Sequence, residues 1–288
     1  MNYQDFWRQL APTYGEGEAK AVARLVYEVR YGLTWTDICA GKEAVLSDDD
    51  QAQLAEILRR LLRQEPVQYV LGVADFCGRT FVVTPSVLIP RPETEELCQW
   101  VIEGEKAQVD GSSEPRILDV GTGSGCIAVT LAAAMPEAQV TAWDISEDAL
   151  QVARENAKRI HVHVAFQQVD VLNIPSSSSL LPPPYTYNCI VSNPPYICNK
   201  ERAKMEANVL EHEPHQALFV PDDDPLLFYR FIAKLGLQTL SQGGWLYFEI
   251  NPLFAEQLAQ LLSAMAYHDI AIREDRFGKQ RMIRARKR

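Results

Sequence analysis

Leu118-Asp119-Val120-Gly121-Thr122-Gly123-Ser124-Gly125 decides the fold. An apolar run ends in three glycines spaced two apart. Such glycines let the backbone turn tightly and pass close to a ligand, and the helix that follows offers free N–H groups. The stretch reads as the first strand-to-helix turn of an alternating α/β domain.

From Arg116 onward, strands and helices alternate. Candidate strands are Ile117–Val120, Gln139–Trp143, Val162–Gln168, Tyr187–Val191, Trp245–Ile250, Asp269–Arg273 and Arg281–Arg284. Helices fall between most of them. Seven strands with interspersed helices predict a doubly wound α/β sheet covered on both faces. Ser176–Pro184, rich in serine and proline, reads as a low-complexity loop.

The glycine spacing bears on the ligand. The dinucleotide fingerprint needs Gly-x-Gly-x-x-Gly. Here the spacing is Gly121-x-Gly123-x-Gly125, and Cys126 follows. That shift favours an adenosyl ligand without a pyrophosphate, such as S-adenosyl-L-methionine (AdoMet), over a bare tight turn. Gly121, Thr122, Gly123, Ser124 and Gly125 are its candidate contacts. Asp144 ends the second strand, about 20 residues further on, where an acidic residue meets ribose hydroxyls. Its alternative role is to cap the helix near Ser146. Asp170, after the third strand, is a candidate for the adenine end or for a loop cap.

Asn193-Pro194-Pro195-Tyr196 follows the strand Tyr187–Val191. Asn193 offers a side-chain carbonyl oxygen as acceptor. Pro194 has no N–H and a fixed φ, so it presents its own carbonyl. Tyr196 adds an apolar face with a polar tip. Two acceptors and a flat wall suit the NH2 of an amide or a nucleobase.

The first 75 or so residues read as a helical domain (1–75), with stripes at Val22, Leu25, Val26, Val29 and at Leu54, Leu58, Leu61, Leu62. Ser47 before Asp48, Asp49 and Asp50 reads as an N-cap with an acidic first turn. Residues 76–90 change to Phe76, Phe81, Val82, Val83, Val87, Leu88 and Ile89, punctuated by Gly78 and Pro85, which predicts a β-hairpin linker. The α/β domain then spans 91–288.

The 288 residues carry a formal net charge of −10. That disfavours a broad nonspecific nucleic-acid footprint, so stable DNA binding is not expected. No apolar run has membrane-spanning length, and the N-terminus is no signal peptide. The six cysteines are scattered and read as reduced thiols in a cytoplasmic protein. Pro214 breaks the helical spacing that would make His212 and His215 metal ligands, so no metal is expected. For the basic C-terminus, Arg273 to Arg288, a charged edge strand and a minor RNA contact stand level.

Several stretches together resemble one family. They are Gln64–Tyr69, Phe76–Phe81, Val87-Leu88-Ile89-Pro90-Arg91-Pro92-Glu93-Thr94-Glu95, Gly121–Gly125, Asp144-Ile145-Ser146, Asn193–Tyr196, Glu213-Pro214 with Ala217-Leu218, and Asp275–Gly278 with Arg281. The chain resembles, nearly end to end, the bacterial HemK/PrmC group of peptide chain release factor glutamine methyltransferases. Asn-Pro-Pro-Tyr alone is shared with adenine-N6 and other amino-group methyltransferases; Pro-Arg-Pro-Glu-Thr-Glu separates them.

The resemblance implies a seven-stranded class I (Rossmann-like) AdoMet-dependent methyltransferase domain behind a helical substrate-recognition domain. It implies as substrate the glutamine of the Gly-Gly-Gln motif in class I release factors, with S-adenosyl-L-homocysteine as product and translation termination as the setting. Gly121–Gly125, Asp144 and Asn193 are implied to bind AdoMet. Asn193, Pro194, Pro195 and Tyr196 are implied to hold the glutamine, with Asn193, Pro194 and Tyr196 catalytic. Val171 follows Asp170 where some relatives carry an aromatic that packs on adenine. Glu249–Pro252 lacks the glycine and glutamine that often follow the glutamate, and is expected to lie away from the amide site. The competing readings are an amino-group methyltransferase acting on adenine or guanine in nucleic acid, and a nonenzymatic AdoMet or nucleotide sensor.

Overall fold

The computed structural model describes residues 1–42, 46–106, 114–174, 183–184 and 186–288. They form two compact units: Met1–Val73 with Met205–His212, and Ala74–Lys204 with Glu213–Arg288. The stretch expected as a loop at 176–184 lies outside the described residues, except Pro183 and Pro184.

The first unit is helical: α1 (Tyr3–Tyr14), α2 (Glu16–Tyr31), α3 (Trp35–Cys39), α4 (Asp48–Leu61) and α5 (Val67–Leu71). Ser47 caps α4 in a reciprocal box with Asp50, whose backbone N–H donates to Ser47 Oγ. The core runs through Val22 and Val26 of α2 and Leu54, Leu58 and Leu61 of α4. Val29 and Leu62, expected on those stripes, are each 43% exposed. Both lie where a helix ends: α2 stops at left-handed Gly32, and α4 gives way to Gln64 at φ 60°.

A hairpin follows, formed by β1 (Val73–Phe76) and β2 (Arg79–Val82). It is shorter and earlier than the expected 76–90. Cys77 and Gly78 both have positive φ, which makes a two-residue turn and fixes the register. Pro85 and Pro90 have no N–H for a ladder, so 83–91 runs on as irregular chain.

The second unit then alternates as expected: α6 (Pro92–Lys106), β3 (Arg116–Val120), α7 (Cys126–Ala134), β4 (Gln139–Asp144), α8 (Glu147–Ile160), β5 (Ala165–Gln168) and β6 (Tyr187–Ser192). After β7 (Ile197–Cys198), α9 (Ala207–His212), which belongs to the first unit, and β8 (Phe219–Val220) come α10 (Leu227–Thr239), β9 (Leu240–Glu249), α11 (Ala255–Ala264), β10 (Tyr267–Glu274) and β11 (Gln280–Lys287). β5 starts at Ala165 rather than Val162, because left-handed His161 and the Val162 N–H to Ala157 carbonyl bond close α8.

The seven-stranded sheet has the order β10-β11-β9-β6-β3-β4-β5. β11 runs antiparallel to both its neighbours; the other pairings are parallel. Apolar residues of α6 and α7 cover one face, those of α10 and α11 the other. The basic strand β11 is therefore not at the edge. Its Arg284 stacks on Trp245 at 4.5 Å and on Trp100 at 5.0 Å, and Arg286 on Trp245 at 5.4 Å. No helix among the described residues is long and apolar enough to cross a membrane.

The order reverses at β3: β4 and β5 build out on one side, β6 and β9 on the other. The loops leaving the carboxyl ends of β3 and β6 flank that switch point, where open α/β sheets form a ligand crevice. They are the glycine turn and Asn193–Tyr196.

Candidate active site

The glycine turn is tied to β4 on both sides. Gly121 and Thr122 N–H donate to the Trp143 carbonyl at 2.8 and 2.9 Å. Gly123 N–H donates to Asp144 Oδ2 at 2.8 Å, and Ser146 N–H to Oδ1 at 2.9 Å. Ser146 itself caps α8, accepting from Ala149 N–H at 3.2 Å. Asp144 is thus free of the capping role and holds the turn's curvature. Burial raises its carboxyl pKa, against the bonds from Ser146 and Gly123. Gly125 sits at φ +80°, and a Cβ there would lie 3.0 Å from Ala153 Cβ of α8. Only glycine lets α7 and α8 meet this closely.

Two buried polar residues hold this turn from behind. Asp119 is 0% exposed, and its Oδ2 accepts from Thr122 Oγ1 at 2.6 Å and Ala128 N–H at 3.2 Å. Burial pushes its carboxyl up to about 7. Asn156 of α8 donates to the Ser124 carbonyl at 2.9 Å and exchanges two bonds with Val82 of β2.

On the other side of the switch point, Ser192 Oγ donates to the Val120 carbonyl at 2.6 Å, clamping the end of β6 to the end of β3. Asn193 Nδ2 then donates to Thr94 Oγ1 at 3.2 Å. Tyr196 Oη donates to Glu249 Oε1 at 3.0 Å, and Asn251 Nδ2 to the Tyr196 carbonyl at 3.2 Å. Burial and the neighbouring Glu249 carboxylate raise the Tyr196 phenol well above its usual value. Glu249–Pro252 therefore lies against the Asn193–Tyr196 loop, contrary to the expectation that it stands apart. The β6–β9 register pairs Ser192 with Phe248, which brings the next residues, Asn193 and Glu249, side by side.

Both loops open onto one cavity of about 520 Å³, within the range of small-molecule sites. Gly121, Thr122, Gly123, Ser124 and Asp144 line it, as do Asn193, Pro194 and Pro195. Asp170 and Val171 line it as well, with Val169 and Leu172. Asp170 also caps the turn that follows, accepting from Leu172 N–H at 2.9 Å and Asn173 Nδ2 at 2.7 Å. Among the described residues, Gly125 and Tyr196 are not on the cavity wall. Gly125 acts through the α7–α8 approach, and Tyr196 packs its ring into the core beside α10.

The cavity suits AdoMet in volume and chemistry. Asp144 offers carboxylate acceptors beside exposed Ile145, 45% accessible, and Val171 supplies a second apolar surface. The glycine turn gives close backbone approach. A further wall comes from the chain after the hairpin: Ser86, Val87, Leu88 and Arg91. That segment is anchored by buried Glu213, which accepts from Ile89 N–H at 3.3 Å and pairs with Arg91.

Two family models match the chain: the PrmC N-terminal domain over residues 5–72 and the methyltransferase small domain over residues 106–218. The release factor glutamine methyltransferase of Bacteroides thetaiotaomicron is 44% identical over 278 residues, covering 96% of each chain. That of Flavobacterium psychrophilum is 38% identical over 284 residues, covering 98% of this chain and 97% of its own. The chain belongs to the release factor glutamine methyltransferase family. A methyltransferase of Pyrococcus furiosus, 15% identical, shares the fold with a TM-score of 0.51 over 84% of this chain and 99% of its own.

In this release factor glutamine methyltransferase family member, sequence reasoning missed Thr94, Arg91, Glu213 and Glu249 as parts of the site. Glu249 carried a signal: a carboxylate closing an apolar strand, at the same sheet edge as Asp144 and Asn193. Arg91 and Thr94 lay inside a stretch that separates the family from its neighbours, yet no periodicity or spacing assigned them a contact.

Proposed function

We propose that this chain transfers the methyl group of AdoMet to the side-chain amide nitrogen of the glutamine in the Gly-Gly-Gln motif of class I peptide chain release factors. The observation that carries the reading is a single cavity lined both by Gly121–Ser124 with Asp144 and by Asn193 with Pro194. The first group suits a methyl donor, the second an NH2 group. Membership of the release factor glutamine methyltransferase family supports glutamine over a nucleobase. The net charge of −10 also speaks against nucleic acid. The guanidinium groups of Arg284 and Arg286 are engaged on tryptophans, which weakens the case for an RNA contact through the C-terminus.

An amide nitrogen is a weak nucleophile because its lone pair is delocalised into the carbonyl. In the proposed mechanism Asn193 Oδ1 and the Pro194 carbonyl accept its two N–H bonds. Those bonds fix the nitrogen and raise its electron density. Gly121–Gly123 and Asp144, which line the same cavity, would hold the donor, so the residues contribute positioning, which can supply ~7–11 kcal/mol of the barrier. When bound, AdoMet supplies an electrophilic methyl group: the N–C bond forms as the S–C bond breaks, the electron pair stays on sulfur, and the amide proton leaves to solvent. Tyr196 stiffens the loop through Glu249. The helical unit is assigned the body of the release factor, because one glutamine is too small to specify a partner. The setting is translation termination in the cytoplasm.

Labelled AdoMet, offered with a release factor, its glutamine-substituted variant, DNA or RNA, tests the reading. Methyl transfer to the intact release factor alone is expected. Equal labelling of the substituted variant refutes the target residue, and labelling of nucleic acid instead refutes the substrate class.

A further inference from the structure

Glu249 ends β9 only 2% exposed, beside the loop that carries Asn193. Each of its carboxylate oxygens meets one hydroxyl: Oε2 accepts from Thr94 Oγ1 at 2.6 Å and Oε1 from Tyr196 Oη at 3.0 Å. An ionised carboxylate only accepts hydrogen bonds, so both hydroxyl protons must point at it. Thr94 has one such proton. What Oγ1 has left is acceptor capacity, and Asn193 Nδ2 donates to it at 3.2 Å. The amide's other end, Oδ1, is thereby turned away from Thr94. One buried charge fixes the direction of every proton in the chain from Asn193 through Thr94 to Glu249.

We propose that Thr94 and Glu249 are positioning residues that set the polarity of Asn193, holding its carbonyl rather than its amino end available to the substrate NH2. The inference rests on the reading of Asn193 as the acceptor for the glutamine amide. A flipped Asn193 would set NH2 against NH2, losing one bond and adding a repulsion. The surroundings of Glu249 fit a carboxylate kept for this purpose. Burial raises its carboxyl pKa, opposed by the two hydroxyl bonds from Thr94 and Tyr196 and by the counter-charge of Arg281 of β11; Glu93 of α6 is the nearby like charge. Tyr229 of α10 donates to its main-chain carbonyl at 3.1 Å, which fixes the backbone below the side chain. Tyr196, held by the same carboxylate, locks the other end of the Asn193–Tyr196 loop.

The test compares Thr94→Val, Thr94→Ser and Glu249→Gln in the full chain. It measures kcat on a release factor, AdoMet affinity by calorimetry, and the thermal midpoint. Valine keeps the shape of threonine and loses the acceptor, so kcat should fall on the order of 100-fold, the scale of losing one aligned polar contact or of a small misplacement. AdoMet affinity and the midpoint should stay near those of the wild type. Serine restores the hydroxyl and should restore most of kcat. Glu249→Gln brings a side chain that donates as well as accepts, and should lower kcat as Thr94→Val does. Wild-type kcat in Thr94→Val, or a Thr94→Ser enzyme as slow as Thr94→Val, overturns the proposal. A parallel loss of AdoMet affinity and kcat also overturns it, in favour of a purely structural contact. If Glu249→Gln does not fold, the Thr94 pair decides alone. A wild-type enzyme inactive on the release factor refutes the parent reading and this one together. An active wild type with an indifferent Thr94 refutes only this one.

Discussion

Replacing Asp119 by Asn should flatten the dependence of stability on pH through the neutral range. The Asp119 side chain is fully buried under the glycine turn, and burial pushes its carboxyl from 3.8 to about 7, against the bonds from Thr122 and Ala128. A carboxyl whose folded pKa lies above its unfolded one binds more protons in the native state between the two values. Unfolding free energy therefore falls as pH rises across that window. The protonated group destabilises nothing below about 3.8, and the loss is complete once the pH passes about 7. From about pH 5 to about pH 8, roughly two units lie below the folded pKa, at ~1.4 kcal/mol each, or about 3 kcal/mol in all. Asn stays neutral and keeps an acceptor for Thr122 and Ala128. The wild type should thus lose about 3 kcal/mol more than Asp119→Asn between these two pH values. Glu105, also pushed to about 7 by burial, has the same sign but is present in both proteins and cancels. Urea titrations at both pH values, read through amide protection in β3, make the comparison for this unit alone. Parallel curves for the two proteins would refute the claim that Asp119 carries a buried, titrating proton.

Asn193→Ala should abolish turnover on a release factor while AdoMet binding becomes weaker but measurable by calorimetry; near-normal turnover would sink the assignment of Asn193. Gly125→Ala forces a side chain to φ +80° with its Cβ 3.0 Å from Ala153 Cβ. It should cost ~1–3 kcal/mol and loosen AdoMet binding with it, and an unchanged thermal midpoint would show that α7 and α8 can part freely. Deleting residues 1–73 should reduce turnover on whole release factor more than AdoMet affinity. Equal losses would mean that the helical unit only supports the other one.

The alternation of strands and helices was legible because parallel strands buried on both faces read as apolar runs, and all seven runs became strands of the one sheet. What the runs could not carry was their ends and their neighbours. Val162 looks like the start of a strand but serves to close α8. The hairpin moved because its position depends on two backbone angles at Cys77 and Gly78 rather than on hydrophobicity. The basic strand β11 looked like an edge because its arginines look solvated. Their charges instead stack on Trp100 and Trp245, contacts between residues 39 to 184 positions apart in sequence that no local pattern announces.

The site divided along the same line. Gly121–Ser124, Asp144 and Asn193–Pro195 were legible as parts of one cavity because each is a short local motif at a strand's carboxyl end, and the strand order sets those ends side by side. Thr94 and Glu249 were not, because their roles exist only between segments. Thr94 sits 155 residues from Glu249 and 99 from Asn193. Register is what joins them: once Ser192 pairs with Phe248, Asn193 and Glu249 come next to each other on neighbouring chains. A carboxylate so buried at a strand end needs donors. The nearest donors, Thr94 and Tyr196, then have their protons committed, and that commitment reaches Asn193. Strand pairing thus gives Glu249, whatever residues follow it, a hold on which end of the Asn193 amide faces the substrate.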